Sequence, residues 1–353
     1  MTEIVGHEKI RQQFERAIAN GRLASSFLFV GPAGVGKFAF ARSLARDLLC
    51  QQPVDGLKAC GTCPSCAQVD ASSHPDLIVV KKRADKNRLL MEQFVGEADK
   101  RGQSGLCHDI SLRSFSGGRK IAIIDDADFL NQESANALLK TLEEPPKDSI
   151  LILVGTSEQR QLPTIRSRCQ IIRFGRLSNQ QVESILAANE LIPEGQNATV
   201  AACSNGSLQM AIQIGSAETT DFRKQLLEQL ASPEPFENQF SKTISDFVDA
   251  AGKDAAVRRD RLRLVTEFAI SFYQAVLAIR LGQPLDSDDD LRTAVQTAVE
   301  SERLMELEIA DCLEACLEVQ NQIMANANQA TMIENWLINL GRCARGERVF
   351  VSN

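Results

Sequence analysis

The feature that most constrains the fold of this chain is a glycine-rich loop between an apolar run and a helix-prone segment. The run Phe27–Val30 is followed at once by the loop Gly31–Lys37, and residues 38–49 are rich in alanine and leucine. Glycines at this spacing let backbone N–H groups face a phosphate at a helix N-terminus, where the lysine reaches the terminal phosphate oxygens. A glycine-rich turn without a ligand, the alternative, does not account for the strand and helix on either side. We therefore predict a Walker A loop with four nucleotide-binding residues: Gly31, Gly34, Gly36 and Lys37.

The residue after the loop lysine departs from the usual pattern. A Ser or Thr at this position supplies the hydroxyl that binds Mg²⁺, whereas this chain has Phe38. We include Phe38 in the predicted nucleotide site, but we expect phosphate binding to be better preserved than magnesium binding. ATP with Mg²⁺ is therefore a candidate ligand, and the sequence does not assign it.

Two adjacent aspartates end a second apolar run. Ile121–Ile124 leads into Asp125 and Asp126, and a carboxylate at the end of such a strand helps to hold magnesium in ATPases. Asp126 stands where ATPases usually carry glutamate, and its shorter side chain would misplace a catalytic base by about 1 Å, an error that can be costly. We predict a degenerate Walker B site formed by Asp125 and Asp126. A solvated strand end that also includes Asp128 is the competing interpretation.

Strand-like and helix-like segments alternate through the first half of the chain. Ser149–Val154 is a third apolar, β-branched run, and runs without polar alternation are typical of strands covered on both faces. Before it, Asn131 precedes apolar residues at helical spacing, and Pro145 ends that pattern. This alternation predicts an α/β fold with a parallel sheet. After residue 174 the β-branched runs disappear, so we expect three domains: a sheet domain at 1–174, a small three-helix domain at 175–216 and an all-α domain at 217–353.

Four of the ten cysteines lie close together in the sequence. They form a C-x9-C-x2-C-x2-C pattern, whose spacing suits four thiolates that converge tetrahedrally on one Zn²⁺. A redox pair and unliganded cysteines are the alternatives. Because four thiolates leave no open coordination position, we predict a structural zinc module at about residues 50–70. Its ligands are Cys50, Cys60, Cys63 and Cys66.

The net charge of −7 argues against a chain that grips bare nucleic acid over its whole surface, because phosphate binding needs clustered Lys and Arg. One local basic group does follow a predicted strand: Lys81, Lys82, Arg83, Lys86 and Arg88. No aromatic residues interleave with these side chains for base stacking. We favour a solvated loop over a surface that faces DNA.

No apolar stretch approaches the roughly 20 residues that are needed to cross a bilayer. The N-terminal segment also lacks the basic and then apolar pattern of a secretory signal. We expect a cytoplasmic protein without membrane contacts.

Two arginines, Arg166 and Arg168, lie in a polar turn before the apolar run Ile171–Phe174. Arginines in such a turn are most often solvated surface. The sharper alternative is an arginine presented to the γ-phosphate of a neighbouring subunit, which accelerates hydrolysis by about 10³ to 10⁵ where it operates. The residues alone leave both readings open.

Taken together, these segments resemble the clamp-loader subunits of bacterial DNA polymerase III. The resemblance covers residues 1–216 and rests on these segments: Val5-Gly6-His7, Gly31–Lys37, the four-cysteine module, Ile124–Asp128, Asn136–Pro146 and Ser167-Arg168-Cys169. Two details favour the delta-prime type over the gamma/tau motor type. They are His74-Pro75-Asp76 after the cysteine module and Asp126 in place of glutamate.

The resemblance implies an AAA+ P-loop fold with a helical lid and a helical collar that assembles into a hetero-pentameric ring. It further implies that Arg168 acts in trans as an arginine finger, that Thr156 occupies the sensor-1 position and that Gln209 replaces the sensor-2 arginine. The changes at Phe38, Asp126 and Gln209 would all weaken ATP hydrolysis by this chain itself.

The expected function is therefore that of a delta-prime-like subunit, which supports ATP-dependent loading of a sliding clamp on primer–template DNA. Its implied partners are gamma/tau and delta-like subunits, the clamp and, through the assembly, DNA. Two rivals stay open at this stage: an active gamma/tau-like motor, and a scaffold that works without nucleotide.

Overall fold

The computed structural model describes residues 5–54, 58–83, 86, 88–192, 195–232, 236, 240–285, 287–301, 304–325 and 327–347. Residues 55–57 of the predicted zinc module lie outside this part of the chain. The chain divides into two compact units. Unit 1 comprises Met1–Ile185 with Gly206–Gln209, and unit 2 comprises Leu186–Asn205 with Met210–Asn353. The three domain boundaries predicted from the sequence stay predictions.

A parallel sheet forms the centre of unit 1. Among the described residues it has five strands: β1 Ser26–Val30, β2 Leu77–Val80, β3 Lys120–Ile124, β4 Ser149–Val154 and β5 Gln170–Arg173. Their order across the sheet is β2-β3-β4-β1-β5, and every neighbouring pair is parallel. The carboxyl ends of all five strands therefore meet at one edge of the sheet, where ligands of open α/β sheets bind.

Helices connect the strands and continue to the C-terminus. The first eight are α1 Glu8–Ala19, α2 Lys37–Leu49, α3 Pro64–Asp70, α4 Glu92–Val95, α5 Leu106–Ser111, α6 Gln132–Glu143, α7 Pro163–Arg166 and α8 Asn179–Ala188. The remaining helices are α9 Asn197–Cys203, α10 Leu208–Ile214, α11 Ala217–Ala231, α12 Phe240–Asp249, α13 Ala255–Arg280, α14 Asp289–Glu300, α15 Glu306–Met324 and α16 Gln329–Ala344. Short 3-10 turns lie at Ala98–Lys100 and Ala127–Phe129.

Both faces of the three central strands, β1, β3 and β4, are buried, as the unbroken apolar runs predict. Along β1, Phe27 and Phe29 belong to one apolar cluster, whereas Leu28 and Val30 belong to another. Alternate residues of a strand point to opposite faces, so each cluster fills the space between the sheet and the helices of one side. The predicted helix cap is also confirmed, since the Asn131 side chain accepts a hydrogen bond from the Ser134 N–H. The predicted fold class, an α/β unit with a parallel sheet followed by additional helices, is confirmed.

Unit 2 is helical, and α13 is its longest helix. The helix packs against α11, α12, α14 and α15. The prediction that no apolar stretch is long enough to cross a bilayer is wrong for this helix, because an 18-residue window within Val257–Arg280 has a mean hydropathy of 1.4. Just over half of that window, 56%, is buried inside the protein. A helix surrounded by other helices becomes apolar on several faces, and this packing accounts for its composition.

A buried ion pair links α11 to the N-terminus of α14 in unit 2. The Arg223 guanidinium donates to both carboxylate oxygens of Asp288, at 3.0 and 2.8 Å, and each side chain is only 5% exposed. Asp288 also caps α14 by accepting from the Leu291 N–H. Burial raises the pKa of the Asp288 carboxyl, but the hydrogen bonds from Arg223 outweigh it and leave the pKa below its usual value.

Candidate functional site

The glycine loop lies at the carboxyl end of β1, and its backbone requires glycine at two points. Gly31 has φ 150°, and a Cβ there would meet the Phe174 carbonyl oxygen at 2.3 Å. Gly34 has φ 75°, and a Cβ there would meet the Ser207 hydroxyl at 2.1 Å. Both positions combine a positive φ with close packing, so a side chain at either one would displace the loop from the N-terminus of α2.

Lys37 is the first residue of α2 and is 7% exposed. Its ammonium group donates to the carbonyl oxygens of Gly31 and Pro32 at 2.7 and 2.6 Å. Burial lowers the pKa of Lys37 from 10.5 to about 8, against the opposing effect of the carboxylates of Asp128 and Asp125. The ammonium group must therefore leave these carbonyls, or share its protons with them, to bind a phosphate.

His7 braces the glycine loop from the N-terminal segment. Its Nε2 lies 2.8 Å from the Val35 carbonyl oxygen, and its ring packs edge-on against Phe174 at 4.8 Å between centroids. In the sequence, His7 contributes only to the family resemblance, and no local pattern predicts this contact. The adjacent residue, Gly6, has φ 88°. A glycine at this place in the sequence was the local signal of a tight turn.

The two predicted Walker B carboxylates lie just beyond β3. Asp125 and Asp126 are half-buried, and burial raises the pKa of each above its usual value. The proximity of Asp126 raises the pKa of Asp125 further, whereas Lys81 lowers it. A fully solvated strand end is therefore the wrong description of this pair.

Asp128 is a structural link between the end of β3 and the end of β4. Its Oδ2 accepts from the backbone N–H and the hydroxyl of Thr156 at 2.8 and 2.6 Å, and its Oδ1 accepts from the Gln161 amide. The Thr156 carbonyl in turn accepts from the Gly31 N–H at 3.1 Å. Thr156 thus lies beside the glycine loop, with its hydroxyl fixed by Asp128.

Gln209 also lies next to the glycine loop, although 175 residues of sequence separate it from Gly34. The Cβ of Gln209 is 2.8 Å from the point that a Cβ on Gly34 would occupy. The neighbouring Leu208 N–H donates to the Gly34 carbonyl at 2.9 Å. The structure therefore places Gln209, and not an arginine, at this side of the loop.

Lys81 also belongs to this site, which its place in the basic group after β2 did not predict. It follows β2 directly, and its ammonium nitrogen lies 3.8 Å from the centroid of the Phe38 ring. The same nitrogen lies 3.8 Å from Oδ2 of Asp125. Lys81 is exposed, as expected for a solvated basic loop. Because β2 and β3 are neighbours in the sheet, its ammonium group nevertheless lies beside Phe38 and Asp125.

The four cysteines predicted to bind zinc do converge. Their sulfur atoms all lie within 4.8 Å of one another, with Cys50 at 3.6 Å from Cys60 and at 3.9 Å from Cys63. Four sulfurs at about 2.3 Å from one tetrahedral zinc ion lie about 3.8 Å apart. Backbone N–H groups of Thr62 and Cys63 lower the pKa of the Cys60 thiol to about 6, which favours the thiolate that a metal needs. The donor set fits one structural Zn²⁺.

The segment His74-Pro75-Asp76 ties the cysteine module to β2. His74 Nδ1 accepts from the Asp76 N–H at 3.0 Å, so its Nε2 carries the proton that the Ser65 hydroxyl accepts at 2.9 Å. The Ser65 hydroxyl donates to the Leu49 carbonyl. Ser65 precedes Cys66 of the cysteine module, so this buried chain of hydrogen bonds fixes the module against the core.

The carboxylate of Asp76 is fully buried and organises the loop before β3. It accepts from the Ser114 hydroxyl, the Phe115 N–H and the Ser116 N–H at 2.9, 2.7 and 3.0 Å. Burial raises the pKa of Asp76, but these bonds, led by Ser116, lower it below its usual value. The loop carries Phe115, which is 88% exposed.

Arg168 lies near the amino ends of the strands, whereas the glycine loop lies at their carboxyl ends. Gln170 pairs with Phe27 in the sheet, so Gly31, four residues further along β1, is about 13 Å away along the strand direction at about 3.3 Å per residue. Arg168 lies two residues before Gln170. It is therefore further still from Gly31 along the strand direction. Its guanidinium bonds to Glu143 and to the Thr164 carbonyl. It is 31% exposed.

Comparison with known proteins links this chain to DNA polymerase III subunits. The family described as "DNA polymerase III, delta subunit" matches residues 6–178. Subunit delta' of Escherichia coli is 31% identical over 237 residues, which are 66% of this chain and 67% of that subunit. Subunit delta' of Pseudomonas aeruginosa is 38% identical over 146 residues, but the match spans only 42% of its length and 41% of this chain. Subunit tau of Bacillus subtilis is 31% identical over 60% of this chain and 36% of its own length.

Proposed function

Because the chain belongs to the family of DNA polymerase III subunit delta', we propose that it is a clamp-loader subunit that lends Arg168 to the ATP site of a neighbouring subunit. In this proposal it joins tau/gamma-like and delta-like subunits in a hetero-pentamer in the cytoplasm. The assembly opens a sliding clamp and loads it on primer–template DNA.

The position of Arg168 carries this proposal. The residue lies near the amino ends of the strands, at the opposite end of the sheet from the chain's own glycine loop. Its guanidinium is therefore too far away to bind phosphates in the chain's own site. The side chain is partly exposed and held by Glu143, so it is available at the surface in a fixed orientation. An arginine presented in this way can stabilise the charge that develops on a neighbour's γ-phosphate.

The chain's own ATP site is poorly equipped for hydrolysis, which supports a trans-acting role. Phe38 provides no hydroxyl for a metal, Asp126 is shorter than the glutamate of ATPases and Gln209 brings no positive charge to the glycine loop. Each change removes a group that would stabilise transition-state charge or position the attacking water. None of the three touches Arg168.

The cysteine module has a structural role in this proposal. Four thiolates around Zn²⁺ leave no open position for a substrate, and the hydrogen bonds of Ser65 and His74 fix the module to the core. The metal would therefore stabilise unit 1 and take no part in hydrolysis.

DNA-stimulated ATP hydrolysis by the complex reconstituted with its cognate motor subunits tests the proposal. We expect Arg168→Ala to slow the site that it serves by about 10³-fold and Lys37→Ala to have little effect. Arg173→Ala is the matched control, because Arg173 lies at the other end of β5 and is likewise paired with a glutamate, Glu158.

The same assay separates the two rival functions. A gamma/tau-like motor requires the larger loss from Lys37→Ala, since its own bound ATP would be hydrolysed. A scaffold that works without nucleotide requires both variants to match the unmodified complex. Either result would overturn the assignment of Arg168.

A further inference from the structure

In ATPases of this type, one position beside the glycine loop holds magnesium. In this chain three side chains surround that position, and together they are unusual for a magnesium site. Mg²⁺ normally lies between the hydroxyl that follows the loop lysine and the carboxylate at the end of the neighbouring strand. In this chain these two positions are Phe38 and Asp125. The ammonium group of Lys81 lies between them, at 3.8 Å from the Phe38 ring centroid and 3.8 Å from Asp125 Oδ2.

These residues do not fit a magnesium ion. Mg²⁺ requires near-ideal octahedral coordination by oxygen atoms, and the Phe38 ring contributes none. A divalent cation beside Asp125 would also lie close to the positive charge of Lys81, and the two charges would repel each other in a half-buried site. The site that should bind magnesium is thus already supplied with a cation by the protein.

The Phe38 ring explains why Lys81 takes up this position. An ammonium group over the face of an aromatic ring is attracted by the ring's negative face, and the carboxylate of Asp125 attracts it from the other side. The ammonium nitrogen itself lies over the ring, at 3.8 Å from its centroid. The Lys81 side chain is 50% exposed, which leaves its ammonium group free to meet a ligand.

We propose that the glycine loop of this chain binds a nucleoside polyphosphate without magnesium, and that the ammonium group of Lys81 takes the place of the metal. Lys37 and Lys81 together neutralise the terminal phosphates from two sides. The ligand stays bound and unhydrolysed, because no metal activates the γ-phosphate. This inference goes beyond the function proposed for Arg168, which requires no ligand in this chain.

Equilibrium binding of ATP to the full chain, with excess EDTA and with MgCl₂, tests the inference. We expect the affinity in EDTA to equal or exceed the affinity in MgCl₂. In EDTA, Lys81→Met should weaken ATP binding by about tenfold or more, as expected for the loss of a hydrogen bond to a charged group. Methionine is an unbranched, uncharged side chain of similar length, so the variant removes little more than the charge.

Two further variants sharpen the test. Lys147→Ala removes a positive charge from an exposed loop before β4, at the other edge of the sheet, and should leave the affinity for ATP unchanged. The double variant Phe38→Thr with Lys81→Ala restores an oxygen ligand and removes the competing cation. We expect its ATP binding to become stronger in MgCl₂ than in EDTA.

Three results would overturn the inference. They are a tenfold or larger loss of affinity when EDTA replaces MgCl₂ in the unmodified chain, equal affinities of the unmodified chain and Lys81→Met in EDTA, or no ATP binding in either condition. The last result leaves the proposed function intact if Arg168→Ala still slows the assembled complex, so the failures of the two proposals can be told apart.

Discussion

Arg168 is anchored to Glu143, since its Nε and one terminal nitrogen both donate to Oε1 of that carboxylate. The second terminal nitrogen donates to the Thr164 carbonyl and the Ser167 hydroxyl. Of the five N–H donors of a guanidinium, most are therefore engaged within the chain. Glu143 ends α6, so the orientation of Arg168 depends on the position of that helix.

Glu143→Ala tests whether this contact positions the arginine. The freed guanidinium would have to be ordered again on each encounter with a neighbour's phosphate, at a cost of up to about 2 kcal/mol of rotamer entropy. We expect the ATPase rate of the reconstituted complex to fall by about tenfold, less than for Arg168→Ala. Glu143→Gln keeps an acceptor and should recover part of the rate. Glu144→Ala, a change in the adjacent exposed residue, is the control.

Zinc removal should destabilise unit 1. Cys63→Ser removes one of four ligands, and because a structural metal contributes its binding free energy to folding, we expect loss of zinc and a lower unfolding temperature. Metal analysis of the purified protein with thermal unfolding measures both effects. Cys107→Ser, outside the cluster, should retain one zinc per chain. A Cys63→Ser protein with undiminished zinc would contradict the four-ligand assignment.

The lowered pKa of Lys37 predicts a pH dependence of phosphate binding. Lys37 carries its proton below about pH 8 and loses it above that value, so ATP affinity should be constant from pH 6.5 to 7.5. It should then fall as the pH rises through 8, by at most tenfold per pH unit. Lys37→Arg stays charged throughout this range, and its affinity should not decline with pH. Parallel declines in both proteins would assign the effect to another group.

The buried pair of Arg223 and Asp288 should dominate the electrostatic stability of unit 2. Asp288→Ala leaves a guanidinium buried without a partner and removes the cap of α14, so we expect a loss of about 3–5 kcal/mol. Asp289→Ala breaks only an exposed pair with Arg292 and should change stability by less than about 1 kcal/mol. Chemical denaturation of both variants measures the difference, and equal losses would argue against a special role for the buried pair.

Much of unit 1 follows from short stretches of sequence. The Walker A loop, the cap at Asn131 and the four-cysteine module were predicted because the groups that define each one lie within a few residues of each other. Local backbone preferences and ligand spacing are sufficient in such cases. The parallel sheet was also predictable, since its strands are apolar without alternation and are separated by helical segments.

Contacts across the sheet were not predictable in the same way. Lys81 reaches Phe38 because β2 adjoins β3 and the carboxyl ends of all strands meet at one edge, a relationship that no local pattern encodes. The basic group after β2 therefore looked like a solvated loop. The Val257–Arg280 segment shows the same limitation, because packing partners and not composition determine whether an apolar helix is a core helix.

The sequence by itself determined that this chain has a glycine-rich loop followed by Phe38 and not by a hydroxyl residue, a module of four closely spaced cysteines, and an arginine shortly before β5. Only the tertiary structure decided that Lys81 lies beside Phe38 and Asp125, that Gln209 borders the loop and that Arg168 is held by Glu143. Residues distant in the sequence become neighbours through strand order and helix packing. The chemistry of a site therefore depends on contacts that form only when the whole unit folds.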